Sequence, residues 1–258
     1  MRGMVLLIVG LVLAGCSAPP QTAPTTTDPA PAEPVAYDGI LLSGCTRSTG
    51  LFPLPKQQAQ ALLPPDYTAT DLLDGVATTP LGAITVELVD CAGGRDETRT
   101  ALFFLGVWAE PPAMVASLTV GYDVVLLGSV HAQDSTAALF TRWNLTPVER
   151  APLDAAPLEA AGVTRTAVGA GGVELAVATA SQPGTDLGLP VRFYSVVEGK
   201  TVGFVDLRPA GPGARDNGAA TLTGSSFLGR DLPALGPGLG TILQFGSLSF
   251  GYEPVDLP

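Results

Sequence analysis

Two apolar runs, Val191–Val197 (VRFYSVV) and Thr201–Leu207 (TVGFVDL), are separated by the three residues Glu198-Gly199-Lys200. Both runs are rich in β-branched and aromatic residues, and a short connection that contains glycine is typical of a β-hairpin. The same pattern recurs along the chain of 258 residues. The sequence therefore predicts a structure in which β-strands dominate.

Further strands are predicted on both sides of this hairpin. Ile84, Val86 and Leu88 alternate with polar residues, which indicates a strand with one buried face. The stretch 169–172 (GAGG) joins two apolar runs; we interpret it as a turn, because a phosphate-binding loop would need a helix after it. The remaining predicted strands are 37–45, 100–108, 122–130, 163–168, 173–179, 219–223 and 241–250.

Short helices and breaks complete the prediction. Phe52-Pro53-Leu54-Pro55 should end the first strand, and Lys56–Leu63 should form a helix that Pro64 stops. A second helix is predicted from Asp134 to about residue 143 and a third near 227–232, while 209–218 is expected to be a long loop. An open sheet of so many strands would expose long edges. We therefore predict a mainly β fold, a closed or strongly curled antiparallel barrel-like sheet with two or three short peripheral helices.

The first sixteen residues carry the most specific signal in the chain. Arg2 precedes an apolar run of about ten residues, which is shorter than the roughly 20 residues that a transmembrane helix needs. The run ends in Leu13-Ala14-Gly15-Cys16, small residues that lead into a cysteine whose thiol can form a thioether with diacylglycerol. We predict a lipoprotein signal peptide over residues 1–15 and lipid attachment at Cys16. The alternative is an ordinary signal peptide in which Cys16 has no special role.

Residues 16–36 are rich in proline and threonine and contain almost no large apolar side chain. Such a segment cannot form a core and is expected to be extended, so we interpret it as a tether of up to roughly 60 Å, at ~3.1 Å per residue. Residues 37–258 contain no second linker of this kind and are predicted to form a single β-rich domain. The expected location is extracytoplasmic, with membrane contact through the lipid anchor.

Charge excludes nucleic acid as a partner, and an acidic residue argues against a second membrane segment. Loss of residues 1–15 would leave 12 basic and 24 acidic residues, a net charge of about −12, which excludes nucleic acid as a partner. The mean hydropathy of +0.35 raises the question of a second membrane segment, for which 113–130 is the best window. Asp123 lies in the middle of that window and favours a buried strand over a membrane span.

The usual catalytic and metal-binding signatures are missing from the sequence. His131 is the only histidine, and the serines of 246–251 (GSLSFG) lack the spacing of a nucleophile elbow and are predicted to be strand residues. Cys45 and Cys91 are expected to form a disulfide in an oxidising compartment, the alternative being two free thiols. Neither a metal nor a cofactor is predicted.

Several polar residues in predicted strands are candidates for lining a cavity. Alternate strand residues face either solvent or the barrel interior, and an inward-facing polar set would form a ligand site at the barrel mouth. The candidate cavity-lining residues are Glu87, Arg99, His131, Arg192, Tyr194 and Asp206, the alternative being that most of these side chains face water.

The order of elements resembles the acetoacetate decarboxylase-like superfamily. The resemblance rests on 52–55 (FPLP), 61–67 (ALLPPDY), 87–91 (ELVDC) and 218–225 (GAATLTGS). It implies a closed β-barrel and, for the family's enzyme, a lysine that forms a Schiff base with a ketoacid. Lys56 and Lys200, the two lysines of this chain, lie at a helix start and in a hairpin turn rather than in the mid-chain strand where the family's lysine would lie.

Three functional hypotheses follow from these observations. The first is a non-catalytic, membrane-anchored barrel that binds a small apolar or carboxylate-bearing molecule. The second is an envelope interaction protein without a ligand cavity, and the third is a divergent enzyme of the resembled family that lacks the Schiff-base lysine.

Overall fold

The structure, a computed structural model, describes residues 38–73, 79–94, 99–115, 121–145, 147–155, 164–169, 173–186 and 188–255. Cys16, the predicted signal peptide and the predicted tether lie outside these residues. The two helices of the described residues are α1 (Lys56–Gln60) and α2 (Asp134–Arg142). The strands are β1 (Asp38–Pro55), β2 (Thr68–Ala69), β3 (Leu81–Gly93), β4 (Thr100–Glu110), β5 (Tyr122–His131), β6 (Val148–Arg150), β7 (Asp154–Ala155), β8 (Thr164–Gly169), β9 (Val173–Asp186), β10 (Val191–Val197), β11 (Lys200–Pro209), β12 (Gly213–Thr223), β13 (Ser226–Phe227), β14 (Arg230–Asp231) and β15 (Gly238–Pro254).

Seven of these strands close into a barrel. Their order is β1-β3-β4-β5-β10-β11-β15, and β15 pairs again with β1 along thirteen residues of register. Closure leaves these seven strands without a free edge. The mainly β, closed barrel predicted from the sequence is therefore confirmed.

One pair in the barrel departs from the predicted antiparallel arrangement. β5 and β10 are parallel, with Val191 opposite Tyr122 and Phe193 opposite Val124. Between these two strands the chain leaves the barrel and forms α2 and β6 to β9 before it returns as β10. A crossover of this length is what parallel neighbours require.

The two faces of the barrel strands carry separate apolar clusters. The interior cluster contains Phe104, Phe193 and Phe250 together with Phe140 of α2 and Trp143, the residue that follows α2. The centroid of the Phe140 ring lies 4.9 Å from that of Phe250 and 6.0 Å from that of Phe104. The helix α2 therefore fills the end of the barrel at which β5 ends. The outer cluster contains Phe52, Phe103, Leu127 and other side chains on the opposite faces of these strands.

The sheet continues beyond the barrel on one side. β12 pairs with β15 and then with β9, and β8 and β7 follow. A Cβ atom at Gly218 would lie 1.9 Å from the Ala178 carbonyl oxygen, so only glycine permits the approach of β12 and β9 at this point. This extension brings Arg215 and Asn217 of β12 beside the barrel strand β15.

The prediction that 52–55 ends the first strand is wrong, because β1 continues to Pro55. Pro53 and Pro55 lie beyond Leu51, the last β1 residue that pairs with β15, and from there on β3 is the neighbour of β1. A strand with a partner on one side tolerates residues that lack an N–H.

Three local predictions also need correction. α1 ends at Gln60 rather than residue 63, and turns occupy the positions before Pro64. Near 227–232 the chain forms the hairpin of β13 and β14 instead of a helix, because Leu228 and Gly229 adopt positive φ angles of 48° and 76°. Most of the expected loop at 209–218 is strand, since Gly213 already pairs with β9 as the first residue of β12.

The predicted hairpins are confirmed. β10 and β11 pair around a turn in which Glu198 and Gly199 have positive φ angles, and β8 pairs with β9 in an antiparallel ladder. Of the turn predicted at 169–172, Gly169 is the last residue of β8, and residues 170–172 lie outside the described part of the chain. The serines Ser247 and Ser249 are strand residues of β15, as predicted.

Cys45 and Cys91 form a disulfide that joins β1 to β3. Both residues are buried and face the interior cluster. The bond closes a stretch of 46 residues, and a loop of this size restricts the unfolded chain.

We expect the double variant Cys45→Ala/Cys91→Ala to lose about 2–4 kcal/mol of its free energy of unfolding. Urea unfolding monitored by circular dichroism measures this loss. A reducing agent should lower the stability of the native protein and leave the double variant unchanged. Equal stability of the two proteins under oxidising conditions would contradict the prediction.

Candidate functional site

A pocket of about 700 Å³ opens at the end of the barrel opposite α2. β5 runs from Tyr122, which lines the pocket, to His131, which packs on α2. One end of the barrel is therefore open, and α2 fills the other. β9 and β12 contribute Asp186 and Arg215 to the wall. The volume is within the range of sites for small molecules.

A buried ion pair forms one part of the pocket wall. Arg47 of β1 donates two hydrogen bonds to Glu87 of β3, from Nε to Oε2 at 2.6 Å and from Nη2 to Oε1 at 2.9 Å. Thr49 Oγ1 donates a third to Glu87 Oε2 at 2.8 Å. The side chains of Arg47 and Glu87 are 7% and 2% exposed. The bidentate geometry gives each charge a partner in a place where solvation is poor.

The electrostatics of Arg47 follow from this pairing. Burial by itself lowers the pKa of Arg47, but the charge and hydrogen bonds of Glu87, with a contribution from Asp186, raise that pKa above its ordinary value. Arg47 is therefore a permanent cation whose charge Glu87 neutralises locally.

The strand register explains why these side chains meet. Cys45, Arg47 and Thr49 alternate along β1 and so face the same side as the disulfide. Thr49 lies directly opposite Glu87, and Arg47 is one diagonal position away. Cross-strand neighbours at this distance are within reach of long side chains.

Apolar side chains form much of the remaining wall. Trp108 stacks on Tyr122 with 4.9 Å between ring centroids, and Tyr122 is 43% exposed. Leu239 of β15 is 64% exposed although it lies in a concave surface. Exposed apolar area of this kind is available for a ligand to bury.

Arg215 is the second arginine of the pocket wall. It lies opposite Leu243 of β15, and Leu243 lies opposite Arg47 on its other side. The Nε atom of Arg215 is buried and has no hydrogen-bond partner among the described residues. Asp186, the other acid of the wall, accepts a hydrogen bond from the Gly188 N–H at 2.7 Å.

His131 faces the barrel interior at the filled end. Its ring stacks on Phe140 with 4.0 Å between centroids, and its Nε2 atom lies 3.3 Å from Ser129 Oγ. Nδ1 is buried without a hydrogen-bond partner among the described residues. Burial lowers the pKa of His131 to about 3, so the ring is neutral throughout the physiological range.

The burial of neutral His131 predicts acid sensitivity. The unfolded chain binds a proton near the ordinary pKa of 6.5 and the folded chain only near 3, so stability is lost as pH falls through that window. Between pH 7 and pH 5 we expect His131 to account for a loss of about 2 kcal/mol. Urea unfolding at both pH values measures it.

The variant His131→Leu is the control for this prediction, because leucine keeps the site apolar and removes the titrating group. Its free energy of unfolding should change less between pH 7 and pH 5 than that of the native protein. An identical pH dependence of the two proteins would show that His131 does not cause the loss.

A second group of polar side chains lies on the outer face of the barrel. Arg192 donates to Asp206 from Nε at 2.8 Å and from Nη2 at 3.0 Å, and Arg208 also donates to Asp206. The Arg192 guanidinium lies 3.8 Å from the centroid of the Phe204 ring. Tyr194 packs beside them, and burial raises its pKa. The crevice beside these side chains has a volume of about 10 Å³, which is too small for a ligand. The group is therefore a packed polar cluster.

The structure thus separates the six candidate residues. Glu87 lines the pocket, His131 is inside the filled end, and Arg192, Tyr194 and Asp206 lie on the outer face. Arg99 is 58% exposed and pairs with Asp90 near the ends of β3 and β4. The sequence reasoning did not select Arg47, Arg215 or Trp108, although Arg47 lies two residues after Cys45 and shares its face.

Neither lysine of the chain lines this pocket. Lys56 begins α1 beside Pro80, and Lys200 is exposed at the β10–β11 turn. Within the described ranges there is no group of three or more histidine, cysteine, aspartate or glutamate side chains that could hold a metal ion. No helix in the described part of the chain has the length and apolarity needed to cross a membrane.

Comparisons with known proteins find similar folds among solved structures. No protein-family model matches the sequence. No curated protein matches it. Acetoacetate decarboxylase from Legionella pneumophila subsp. pneumophila str. Philadelphia 1 superposes with a TM-score of 0.55 at 12% identity, over 90% of this chain and 93% of that chain.

Two further solved structures have a similar fold. The enduracididine biosynthesis enzyme MppR complexed with pyruvate has a TM-score of 0.52 and 13% identity, over 87% of this chain and 91% of that chain. An acetoacetate decarboxylase-like enzyme from Sphingomonas wittichii RW1 has a TM-score of 0.52 and 11% identity, over 85% and 93%. The domain is therefore structurally similar to acetoacetate decarboxylase-like proteins and has their closed seven-stranded barrel.

Proposed function

We propose that this protein is a lipid-anchored, extracytoplasmic binding module whose barrel takes up a small carboxylate-bearing molecule. The observation that carries the proposal is the open pocket of about 700 Å³, in which an apolar wall adjoins two arginines. Arginine is suited to a carboxylate because its planar guanidinium can donate two parallel hydrogen bonds. A structurally similar protein, MppR, has been solved with pyruvate, which is itself a carboxylate.

The pocket favours binding over an interaction protein without a ligand cavity and over Schiff-base catalysis. An interaction protein without a ligand cavity would have a filled barrel, whereas here only the α2 end is filled. Schiff-base catalysis would need an amine in the pocket, and Lys56 and Lys200 lie elsewhere.

Native mass spectrometry of the purified protein, together with a thermal-shift screen of small carboxylates, tests the proposal. We expect a bound species or a stabilising carboxylate for the native protein. Thr241→Trp, which places a large side chain in the pocket wall, should abolish the effect. Thr221→Trp, at an exposed position of β12 that does not line the pocket, is the matched control and should retain it. A native protein that neither carries a ligand nor responds to any carboxylate would contradict the proposal.

The second candidate function is a divergent enzyme, which the fold of the three structural neighbours favours. Its Schiff-base form is tested with a ketoacid and borohydride. On the binding hypothesis no adduct forms at Lys56 or Lys200. A stable adduct at either lysine would favour the enzyme.

A further inference from the structure

We infer that Arg215, with Asn217 beside it, anchors the carboxylate of the ligand, and that the ligand is a monocarboxylate with an apolar body larger than pyruvate. This inference rests on the proposed function, because it specifies how the same pocket would recognise its ligand.

The two arginines of the pocket wall lie on one face of the sheet. Arg47, Leu243 and Arg215 form one row across β1, β15 and β12, because Leu243 is opposite both arginines. Residues opposite each other share a face, so both guanidinium groups project from the same side of the sheet. Two strand spacings place their backbones roughly 10 Å apart. The next row toward the pocket opening on this face consists of Thr49, Thr241 and Asn217.

Of these two arginines, Arg215 is the one available to a ligand. Glu87 engages Arg47 through two hydrogen bonds, which occupy Nε and Nη2 of that guanidinium and neutralise its charge locally. Arg215 forms no ion pair within the described part of the chain, and its buried Nε has no acceptor there. A buried donor without an acceptor loses its interaction with water and gains nothing in return. An anionic ligand would supply the missing acceptor.

Asp186, the acid of the pocket wall that lies on the strand next to Arg215, does not supply this acceptor. Asp186 accepts the Gly188 N–H and is not within ion-pair distance of Arg215. The protein as a whole is acidic, with a formal net charge of −11. The net charge of the protein therefore does not favour the approach of an anion, and recognition depends on short, directional hydrogen bonds from the guanidinium.

The apolar side chains of the pocket wall indicate the kind of ligand body that fits there. Trp108, Tyr122, Leu189 and Leu239 give the wall an apolar side, and Tyr122 and Leu239 remain exposed within it. A pocket of about 700 Å³ is of the size that holds drug-sized molecules, whereas pyruvate would leave most of this wall uncovered. A carboxylate on Arg215 joined to an apolar or aromatic body would satisfy both sides of the pocket.

Isothermal titration calorimetry with 4-phenylbutyrate tests the inference, with neutral 4-phenylbutyramide and small pyruvate as comparison probes. We expect 4-phenylbutyrate to bind at least about tenfold more tightly than either comparison probe. Trp108 fluorescence provides a second readout, because the other tryptophan, Trp143, is buried in the interior cluster. A change in emission on binding that is lost in Trp108→Phe would place the ligand at the apolar wall.

The variant Arg215→Gln should weaken 4-phenylbutyrate binding at least about tenfold and leave 4-phenylbutyramide binding unchanged. Arg215→Lys keeps the charge and loses the bidentate geometry, so its affinity for 4-phenylbutyrate should lie between those of the native protein and Arg215→Gln. Arg230→Gln is the matched control, because Arg230 is exposed on β14 and does not line this pocket. Circular dichroism and urea unfolding establish that each variant is folded.

The possible failures are distinguishable. Binding of 4-phenylbutyrate that is equally tight in the native protein and in Arg215→Gln would overturn the assignment of Arg215 and leave the binding function in place. Pyruvate binding as tightly as 4-phenylbutyrate would overturn the ligand class. Failure of the folded native protein to bind any carboxylate, in calorimetry or in the thermal-shift screen, would overturn this inference and the proposed function together.

Discussion

The variant Arg47→Met is expected to lose about 3–5 kcal/mol of its free energy of unfolding, because it leaves the Glu87 carboxylate buried with Thr49 as its remaining side-chain partner. Methionine has a similar length to the arginine stem, so packing changes less than charge. The desolvated charge of Glu87 dominates the loss. Urea unfolding monitored by circular dichroism measures it at pH 7.

Two variants make this prediction specific. Arg47→Met/Glu87→Leu removes both charges and should be more stable than Arg47→Met alone, because no unpaired charge remains in the wall. Arg99→Met breaks the exposed pair with Asp90 and should cost less than about 1 kcal/mol. A double variant as unstable as the single variant would show that packing, rather than the charge of Glu87, causes the loss.

The variant Cys16→Ser is expected to leave the membrane fraction almost completely. A serine hydroxyl at this position cannot form the thioether, and without acyl chains the anchoring contribution of about 0.8 kcal/mol per buried methylene disappears. Fractionation of cells, followed by detergent phase partition and intact mass measurement, shows both the location and the acyl groups. Retention of the variant in the membrane fraction would contradict the proposed anchor.

The double variant Cys45→Ser/Cys91→Ser is a suitable control for membrane release. It removes the remaining two cysteines of the chain and destabilises the domain, yet it leaves position 16 intact. We expect it to remain in the membrane fraction with its acyl mass unchanged. The comparison separates lipid attachment from the general effect of losing a cysteine.

The strand content of the domain was predictable because it depends on patterns within short segments of sequence. Hairpins such as β10–β11 combine β-branched runs with a glycine-containing turn, and both signals lie within a few residues of each other. The failures have the opposite cause. β1 runs through Pro53 and Pro55, and β12 begins within a Pro- and Gly-rich stretch, because pairing with distant strands outweighs local preference there.

The candidate site shows the same division. Glu87, a candidate because of its place in an alternating strand, lines the pocket. Arg192 and Asp206, which were candidates for the same reason, lie on the outer face of the barrel. Strand alternation separates residues into two faces without saying which face is inside. Arg215 could not be selected, because it lies in a stretch that was predicted to be a loop.

By itself, the sequence determined the strand-rich fold class and the resemblance that the structural neighbours bear out, and it supports the proposals of an export signal, a lipidated Cys16 and a tether. These features depend on short-range patterns, which one segment carries on its own. Only the tertiary structure decided that Arg47 neutralises Glu87 and that Arg215 projects beside them with a buried, unpartnered Nε. Those relations arise when residues from β1, β3, β12 and β15 meet across a closed barrel, and register between distant strands is not encoded in any one of them.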